Sequence, residues 1–548
     1  MTQDKPPKQA VDTLGEEGWS PLAPAGIVAI SVMLATFMEV LDTTVVNVSL
    51  PHIAGSLSAG TDETTWVLTS YLVSNAIVLP ATGWLSRIFG RKRFYMTCVA
   101  GFAIASFLCG LAPSLMWLVV FRIIQGFSGG AMQPISQAIL LESFPLRRRG
   151  MGMAIFGIGV VFAPIIGPTL GGWITDSYSW RWIFFINVPI GMLALLLTQI
   201  NVADPPYLPR GVGRVDYFGL GLLAVGIGAL QVVLDKGQRE DWFSTGWILQ
   251  LAIVSGVCLI VLVLWELRAR QPIIDLSVFR MRNFAPGIVL IFTLGIALYG
   301  SQVLLPIFLQ TLLGYTALQS GLAMSPGGIA TVLCMPLVGY LVGRRDSRYL
   351  VIFALVMVGV SMFMMSRYNL QISFREAVYP RIVMGVGLAF MFVPLATVSF
   401  SFMPRAQTGN ATGLFNLMRN IGGSFGIAMV TTTLARRAQF HQARLVENIS
   451  PYDPHFQEMS RAAIAKLMAA GQPLLRAQQE AVGIAYSQVL RQATAMGFID
   501  CFWLLGVAMV VIIPVVFIMR RAPKAGAPGA ALHWPQSKSR HFASARTT

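Results

Sequence analysis

The sequence contains little charge and few acidic residues. Asp, Glu, Lys and Arg make up 12% of the 548 residues, 55% are hydrophobic, and the mean hydropathy is +0.66. Soluble domains carry roughly 25% charged residues, so this composition excludes a soluble globular protein. Acidic residues number 24 against 40 Lys and Arg, a formal net charge of +16. Because the basic residues lie between apolar segments, where they set orientation, nucleic acid is not expected as a partner.

Cysteine and histidine are also scarce, with five of each. No cysteine has metal-ligand spacing, so we expect free thiols and no metal site at Cys98, Cys109, Cys258, Cys334 and Cys501. No G-x-x-x-x-G-K-[ST] loop occurs, which argues against ATP-driven transport. No His/Cys cluster or Ser-His-Asp arrangement is placed for hydrolysis, so we expect no enzyme and no cofactor.

The sequence is instead rich in apolar runs of about 20 residues, the length that crosses a bilayer as a helix. We count fourteen spans, near 27–50, 64–85, 94–113, 116–140, 150–174, 182–202, 216–235, 246–266, 284–310, 319–342, 349–366, 376–400, 410–434 and 498–520. The first 25 residues are polar and show no signal-peptide pattern. The predicted fold class is an all-α polytopic membrane protein.

Alternate connections between the spans are strongly basic. They read "SRIFGRKR" (86–93), "PLRRRG" (145–150), "PRGVGR" (209–214), "RARQPIIDLSVFRMR" (268–282) and "GRRDSR" (343–348). The opposite short connections, 51–63, 111–115 and 311–318, contain no Lys or Arg. The positive-inside rule therefore places both termini in the cytoplasm.

One connection on the predicted outer side, 436–495, is far longer than the others. Within it, "FQEMSRAAIAKLMAAG" places along one helical face Met459, Ala463, Ile464, Leu467 and Met468. Two interpretations remain open: an amphipathic helix on the membrane surface, or a docking surface for a partner protein.

The two halves of the chain repeat each other. "LPATGWL" (79–85) is echoed by "MPLVGYL" (335–341), and "RIIQG" (122–126) by "RIVMG" (381–385). The offsets are 256 residues for Gly83 and Gly339 and 259 for Arg122 and Arg381. Spans 1–6 and 9–14 therefore form equivalent six-helix bundles, with spans 7 and 8 inserted between them. Such repeats are typical of alternating-access transporters, whose substrate site lies between the halves.

Three ionisable residues lie inside the first bundle. Asp42 and Arg122 are each roughly 10–12 Å from the outer end of their spans, so they can meet, and Glu39 shares the face of Asp42. Burial disfavours the charged form of a carboxyl and a nearby guanidinium favours it, a combination suited to a proton carrier. The histidines lie outside the span cores, so proton coupling must use carboxylates.

Each of these residues has a structural alternative. Asp42 could brace neighbouring helices, Arg122 could bind backbone carbonyls, and Glu39 could attract a cationic substrate directly. Asp500, near the outer end of the last span, is interpreted as interfacial rather than mechanistic. The candidates for the substrate cavity are Gln125, Asn416 and Arg419; Arg419 lies roughly 14 Å deep and is expected in the cavity of the second half.

Several motifs resemble those of the major facilitator superfamily. "GWLSRIFGRKR" resembles its loop motif, "FRIIQGFSGG" its fourth-span arginine motif, and "APIIGPTLGGW" (163–173) the fifth-span Gly-Pro motif of its antiporters. "LDTTVVNVSLP", "WRWIFFINVPIG" and "LFNLMRNIGGSFGIA" are similar to the 14-span drug:proton antiporters of the EmrB and QacA type.

The resemblance implies a major facilitator fold, with an N-terminal tail (1–25), a six-helix bundle (26–202), two inserted helices (203–283), a second bundle (284–520) that includes 436–495, and a C-terminal tail (521–548). It implies proton-driven export of lipophilic or amphiphilic drugs across the bacterial inner membrane. A periplasmic adaptor and an outer-membrane channel are the implied partners, besides the lipid bilayer.

The resemblance also assigns two groups of residues. The antiporter motif corresponds to Gly167, Pro168, Gly171 and Gly172, and the inner-loop gating motif to Gly83, Arg87, Gly90 and Arg91. One position departs from the family pattern: Arg87 stands where the wider superfamily has Asp, so any charge relay through that Asp is in doubt here.

Three other functions compete with broad drug export. The nearest is a dedicated exporter of one endogenous metabolite, such as a siderophore or a fatty acid. Uptake by symport is a second alternative, which the Gly-Pro motif disfavours. A channel or membrane enzyme is a third, and neither would require the internal repeat.

Overall fold

The computed structural model of the chain describes residues 22–145, 148–204, 216–269, 272–404, 407–447, 452 and 454–521, and no strand occurs in these ranges. Fifteen long helices are α1 (Ala25–Ser56), α2 (Trp66–Phe89), α3 (Arg91–Leu111), α4 (Leu115–Ser143), α5 (Arg149–Ser177), α6 (Trp182–Asn201), α7 (Tyr217–Lys236), α8 (Gly246–Glu266), α9 (Phe284–Leu312), α10 (Leu318–Val342), α11 (Ser347–Met365), α12 (Phe374–Ser399), α13 (Thr408–Glu447), α14 (Pro454–Ala469) and α15 (Leu474–Ile518).

Thirteen of the described helices are long and apolar enough to cross a membrane. The remaining predicted span, 410–434, lies in α13, whose hydropathy is lowered by polar residues such as Asn410, Asn416 and Arg419. These side chains are buried in the bundle, where α13 packs against α9, α15 and α2, so α13 belongs with the other spans. The predicted all-α fold with fourteen spans is confirmed.

The last two spans differ from prediction in their length. α13 has 40 residues and α15 has 45, so each is about 60 Å long or more, against a hydrocarbon core of about 30 Å. Both helices therefore project from the membrane and supply the two ends of the long connection. Between them, the helix predicted in "FQEMSRAAIAKLMAAG" is present as α14 and packs against α15.

The projecting parts of α13 and α15 are held together by polar contacts. Asp500 accepts a hydrogen bond from Nε of Arg437 at 2.5 Å and lies 2.7 Å from Nε2 of His441. Nε2 of Gln442 donates to the Tyr486 hydroxyl at 2.9 Å. Asp500 thus braces the end of the bundle, and no described contact connects it to Asp42.

The packing of the two bundles is equivalent. In the first bundle α1 packs on α5, α2 and α3 pack on α4, and α3 packs on α6; in the second, α9 packs on α13, α10 and α11 pack on α12, and α11 packs on α15. Each pair in the second bundle repeats a pair in the first. The duplication inferred from the sequence is therefore confirmed in the arrangement of the helices.

The bundles meet through α5 against α10 and α2 against α13. Glycines make both contacts close at the end that carries the basic connections, hereafter the basic end. A Cβ on Gly83 would lie 2.6 Å from Cα of Asn410, and one on Gly339 would lie 3.2 Å from the Gly150 carbonyl. Since these contacts join backbones, the basic end is closed.

The inserted helices α7 and α8 form a hairpin outside the two bundles. α7 contacts α2 and α13, one helix from each bundle, whereas α8 packs mainly on α7. Nζ of Lys236 donates to Oγ1 of Thr65 at 2.5 Å, and Nε2 of Gln231 donates to Oγ of Ser424 at 2.7 Å. The hairpin thus packs against the outside of the two bundles, at the place where they meet.

Candidate functional site

Asp42 is the centre of a buried polar network in the first bundle. Its side chain is 1% exposed. Oδ2 accepts a hydrogen bond from Nη1 of Arg122 at 2.5 Å, and Oδ1 accepts from Nε2 of Gln125 at 3.1 Å and from Nδ2 of Asn187 at 2.8 Å. Three donors from α4 and α6 therefore converge on the carboxylate of α1.

Arg122 is held in place from several sides. Nε donates to the Val67 carbonyl at 3.1 Å, Nη1 donates to Gln125 Oε1 at 2.8 Å, and the guanidinium lies 4.2 Å from the centre of the Tyr71 ring. Arg122 and Gln125 are three residues apart on α4, which places them on one helical face. An isolated guanidinium at this depth would cost at least about 2.5–3.5 kcal/mol, so Asp42 and Arg122 stabilise each other's charge.

Glu39 lies one helical turn from Asp42 but has fewer partners. It is 4% exposed; Oε1 accepts a hydrogen bond from Nδ2 of Asn75 at 3.1 Å, whereas Oε2 is buried and has no hydrogen-bond partner among the described residues. A buried carboxylate oxygen without a donor is costly to bury, so Glu39 is less well compensated by its neighbours than Asp42 is. The two acidic residues of α1 therefore differ in how well the fold stabilises their charge.

The cavity candidates of the second bundle instead contact the first. Nη2 of Arg419 donates to Oε1 of Gln133 at 2.5 Å, and Gln133 lies beside Glu39. Nδ2 of Asn416 donates to Oε1 of Gln137 at 2.7 Å. The sequence placed Arg419 in a cavity of its own half; the structure differs because α4 and α13 pack directly against each other at the bundle interface. Glu39 is thereby connected to the second bundle.

Two glycines of the fifth-span motif lie where α5 crosses α1. A Cβ on Gly167 would overlap Oγ1 of Thr44, and one on Gly171 would lie 2.9 Å from Cγ1 of Val45, whereas Gly172 faces open space. Small residues permit this close approach of two helices. The motif thus packs α5 two to three residues beyond Asp42 on α1.

The prolines of the same motif act on the backbone of α5. Pro164 and Pro168 both lie inside the helix, where each removes a backbone donor. Such positions allow a transmembrane helix to bend. α5 also forms the main contact with α10 of the second bundle, so a bend in α5 would change the bundle interface.

We predict that Gly167→Ala and Gly172→Ala differ in their effects. The methyl group at position 167 has no space against Thr44, so α1 and α5 must separate, at a cost of about 1–3 kcal/mol. The methyl group at position 172 meets nothing within 4 Å. Thermal unfolding of the purified variants in detergent is expected to show a lower midpoint for Gly167→Ala only. Equal midpoints would contradict the role of Gly167 in this contact.

The inner-loop motif forms a tight turn braced by a buried ion pair. Gly90, between α2 and α3, has φ of 82°, a conformation that favours glycine. Directly after it, Nη1 of Arg91 donates to Oε2 of Glu142 on α4 at 2.5 Å, and both side chains are buried. Together with the Gly83 contact described above, these residues fix the basic ends of α2, α3 and α4.

Arg87 lines the same small cavity as an acidic residue that comes from elsewhere in the chain. Arg87, Asp275 and Asn410 line a small cavity at the basic end. Asp275, from the connection after α8, accepts through its carbonyl a hydrogen bond from Nδ2 of Asn410 at 3.0 Å. The connection that follows the inserted helices thus places a carboxylate near the position where the family motif has its own Asp.

Sequence reasoning missed most of the amide side chains of the site. Asn75, Asn187, Gln133 and Gln137 all contact the acidic residues or connect the bundles. Gln125, predicted to line the substrate cavity, is instead fully buried against Asp42. An available signal was the presence of Asn and Gln inside apolar spans, where unpaired amides are unfavourable.

Two equivalent six-helix bundles, with ionisable residues buried near their interface, define an alternating-access membrane transporter. The chain belongs to the Major Facilitator Superfamily, whose family model matches residues 32–427. It is 39% identical to the fatty acid resistance protein FarB of Neisseria gonorrhoeae over 507 residues, and this aligned region covers 92% of this chain and 97% of that protein. It is 38% identical over 509 residues to the multidrug export protein EmrB of Escherichia coli K12, covering 92% of this chain and 98% of that protein.

Solved structures show the same fold at low sequence identity. The human organic anion transporter MFSD10 (TETRAN) superposes with a TM-score of 0.60 at 13% identity, covering 90% of this chain and all of that chain. At this level of identity the similarity establishes the fold alone. The protein is therefore a multi-pass membrane transporter of this superfamily.

Proposed function

We propose that the protein is a proton-coupled antiporter that exports lipophilic or amphiphilic compounds across the bacterial inner membrane. The observation that supports this most is the pair of buried acidic residues, Asp42 and Glu39, of which one is well compensated by donors and the other is not. Relatives named for multidrug export and for fatty acid resistance support export as the direction and amphiphiles as the cargo.

In the proposed cycle Asp42 carries the proton. Protonating Asp42 removes the counter-charge of Arg122, so the guanidinium must find new partners and α4 must shift against α1. Glu39 holds a second exchangeable proton or attracts a cationic substrate. Through Gln133 and Arg419, its charge state is linked to the second bundle. Proton binding and rearrangement of the bundle interface are thereby coupled.

We also propose that the basic end faces the cytoplasm, with both termini there, as the basic connections indicate. The opposite end then projects α13, α14 and α15 into the periplasm. This projection carries exposed apolar residues, namely Leu474, Leu475, Val482, Ile484 and Tyr486. Exposed apolar clusters mark interaction sites, which supports docking of a periplasmic adaptor, and beyond it an outer-membrane channel.

Proton release from proteoliposomes tests the proposal. Liposomes with the purified protein and an enclosed pH-sensitive dye receive an imposed proton gradient and then a panel of lipophilic cations, acids and neutral compounds. We expect substrate-dependent proton movement that protein-free liposomes do not show. Absence of proton movement with every compound would contradict broad antiport, provided that the purified protein has the elution profile of a folded protein.

A dedicated fatty acid exporter is the second candidate function. The supporting observation is the similarity to FarB, which is as extensive as the similarity to EmrB. In the same assay, proton movement with fatty acids alone and with none of the cations would favour this candidate.

A further inference from the structure

The Asp42 site has a counterpart in the second bundle that has kept its arginine and lost its acid. Asp42, Arg122 and Gln125 correspond to Ser301, Arg381 and Met384, each 259 residues further along the chain. The counterparts are in contact in the same way: Ser301 Oγ lies 3.5 Å from Met384 Sδ, and Nη1 of Arg381 lies 3.1 Å from that sulfur. The duplication therefore produced two arginine sites, and only the first contains a carboxylate.

Arg381 is buried without a compensating charge. The residue is 6% exposed, and within the described residues Nε has no hydrogen-bond partner and no acidic side chain pairs with the guanidinium. Arg122, by contrast, is 0% exposed and pairs with Asp42. Arg381 is the seventh residue after the start of α12, about 10 Å along the helix, which is the depth of Arg122 in α4.

Within the described residues, the acceptor given for the Arg381 guanidinium is the thioether of Met384. A thioether sulfur is a poor hydrogen-bond acceptor. The counterpart of Glu39, by the same offset, is Leu298, so no acid replaces the missing one on α9. A charged group in a membrane interior that lacks a protein partner is expected to pair with a substrate or an ion.

We propose that Arg381 is the anion subsite of the transporter, binding the carboxylate of an acidic amphiphile whose apolar chain lies among the helices of the second bundle. The inference rests on the proposed export function and adds to it different binding roles for the two bundles. The first bundle binds the proton on its own carboxylates, and the second bundle uses its uncompensated arginine for substrates of opposite charge.

The decisive variant returns the missing acid. Ser301→Asp places a carboxylate at the position that corresponds to Asp42 of the first bundle. Arg381 then has a partner within the protein and is no longer available to bind the substrate carboxylate. Gln302→Glu is the matched control, because it adds the same charge to α9 at the adjacent position, on a different face of the helix. Arg381→Met removes the cation, and Arg381→Lys retains it.

The measurement is binding to protein in nanodiscs of three probes with the same chain: dodecanoate, dodecyltrimethylammonium and dodecanol. We expect Ser301→Asp and Arg381→Met to weaken dodecanoate binding at least about tenfold, Gln302→Glu and Arg381→Lys to weaken it far less, and binding of the cation and the alcohol to persist in every variant. Ser301→Asp keeps the test valid if Arg381→Met does not fold.

Three results would overturn the inference. The first is unchanged dodecanoate binding in Ser301→Asp. The second is equal loss of binding of all three probes in that variant, which would indicate a structural role for Arg381. The third is absence of dodecanoate binding by the wild type. The proposed export function is judged separately, by proton release with dodecyltrimethylammonium. Release with this cation combined with any of the three results would reject the anion subsite and retain proton-coupled export.

Discussion

Asp42→Asn is expected to abolish substrate-driven proton release from proteoliposomes. The asparagine cannot take up a proton in the relevant range, although its carbonyl oxygen can still accept a hydrogen bond from Arg122. Removing one partner of a buried ion pair typically costs about 3–5 kcal/mol. Here the residual hydrogen bonds from Gln125 and Asn187 reduce that cost, so we expect a folded variant that inserts in the membrane and binds substrate but moves no protons.

Glu39→Gln is the matched control, since it makes the same chemical change one helical turn away. Among the described residues Glu39 forms no ion pair and its Oε2 has no hydrogen-bond partner, so its loss should leave the fold intact and reduce proton movement only in part. Full proton release by Asp42→Asn together with none by Glu39→Gln would assign the carrier to Glu39. Full release by both variants would exclude carboxylate coupling in α1.

Gly83→Val is expected to reduce transport to background by preventing closure of the basic end. A Cβ at this position would lie 2.6 Å from both N and Cα of Asn410 and 3.0 Å from the Gly409 carbonyl carbon. These are backbone atoms that cannot rotate away, so α2 and α13 must move apart. Because the contact joins the two bundles rather than stabilising either one, each bundle should still fold.

The separation can be measured with spin labels attached at the basic ends of α2 and α13. We expect a longer distance in Gly83→Val than in the wild type, and little change in Gly256→Val, where the added side chain meets nothing within 4 Å on α8. Gly339→Ala should be milder than Gly83→Val, since its nearest neighbours lie at 3.2 Å. Wild-type transport by Gly83→Val would show that the basic end need not close as tightly as the structure has it.

These predictions concern a transporter whose halves have diverged in polarity while keeping one packing scheme. The first bundle contains Asp42, Glu39, Asn75 and Gln133 in its interior. At the corresponding positions of the second bundle the chain has apolar or weakly polar residues, together with the arginine Arg381. A shared scaffold with unequal interiors is consistent with assigning the proton and the substrate to different bundles.

The sequence by itself determined the number and approximate positions of the spans, their duplication and the depth of the ionisable residues. It could do so because a bilayer leaves the backbone no partner but its own helix, so apolar length alone fixes a span. Depth then follows from the rise of 1.5 Å per residue, which is why the meeting of Asp42 and Arg122 was predictable. The projecting parts of α13 and α15 were missed because polar helices outside the membrane carry no such constraint.

Only the tertiary structure decided which polar groups are partners. The rotation of each helix about its axis is set by packing against its neighbours, and hydropathy does not record it. That rotation turned Gln125 toward Asp42, brought Asn187 of α6 to the same carboxylate, and carried Arg419 across the interface to Gln133. It also left Arg381 buried, with the thioether of Met384, three residues along the same helix, as its hydrogen-bond contact.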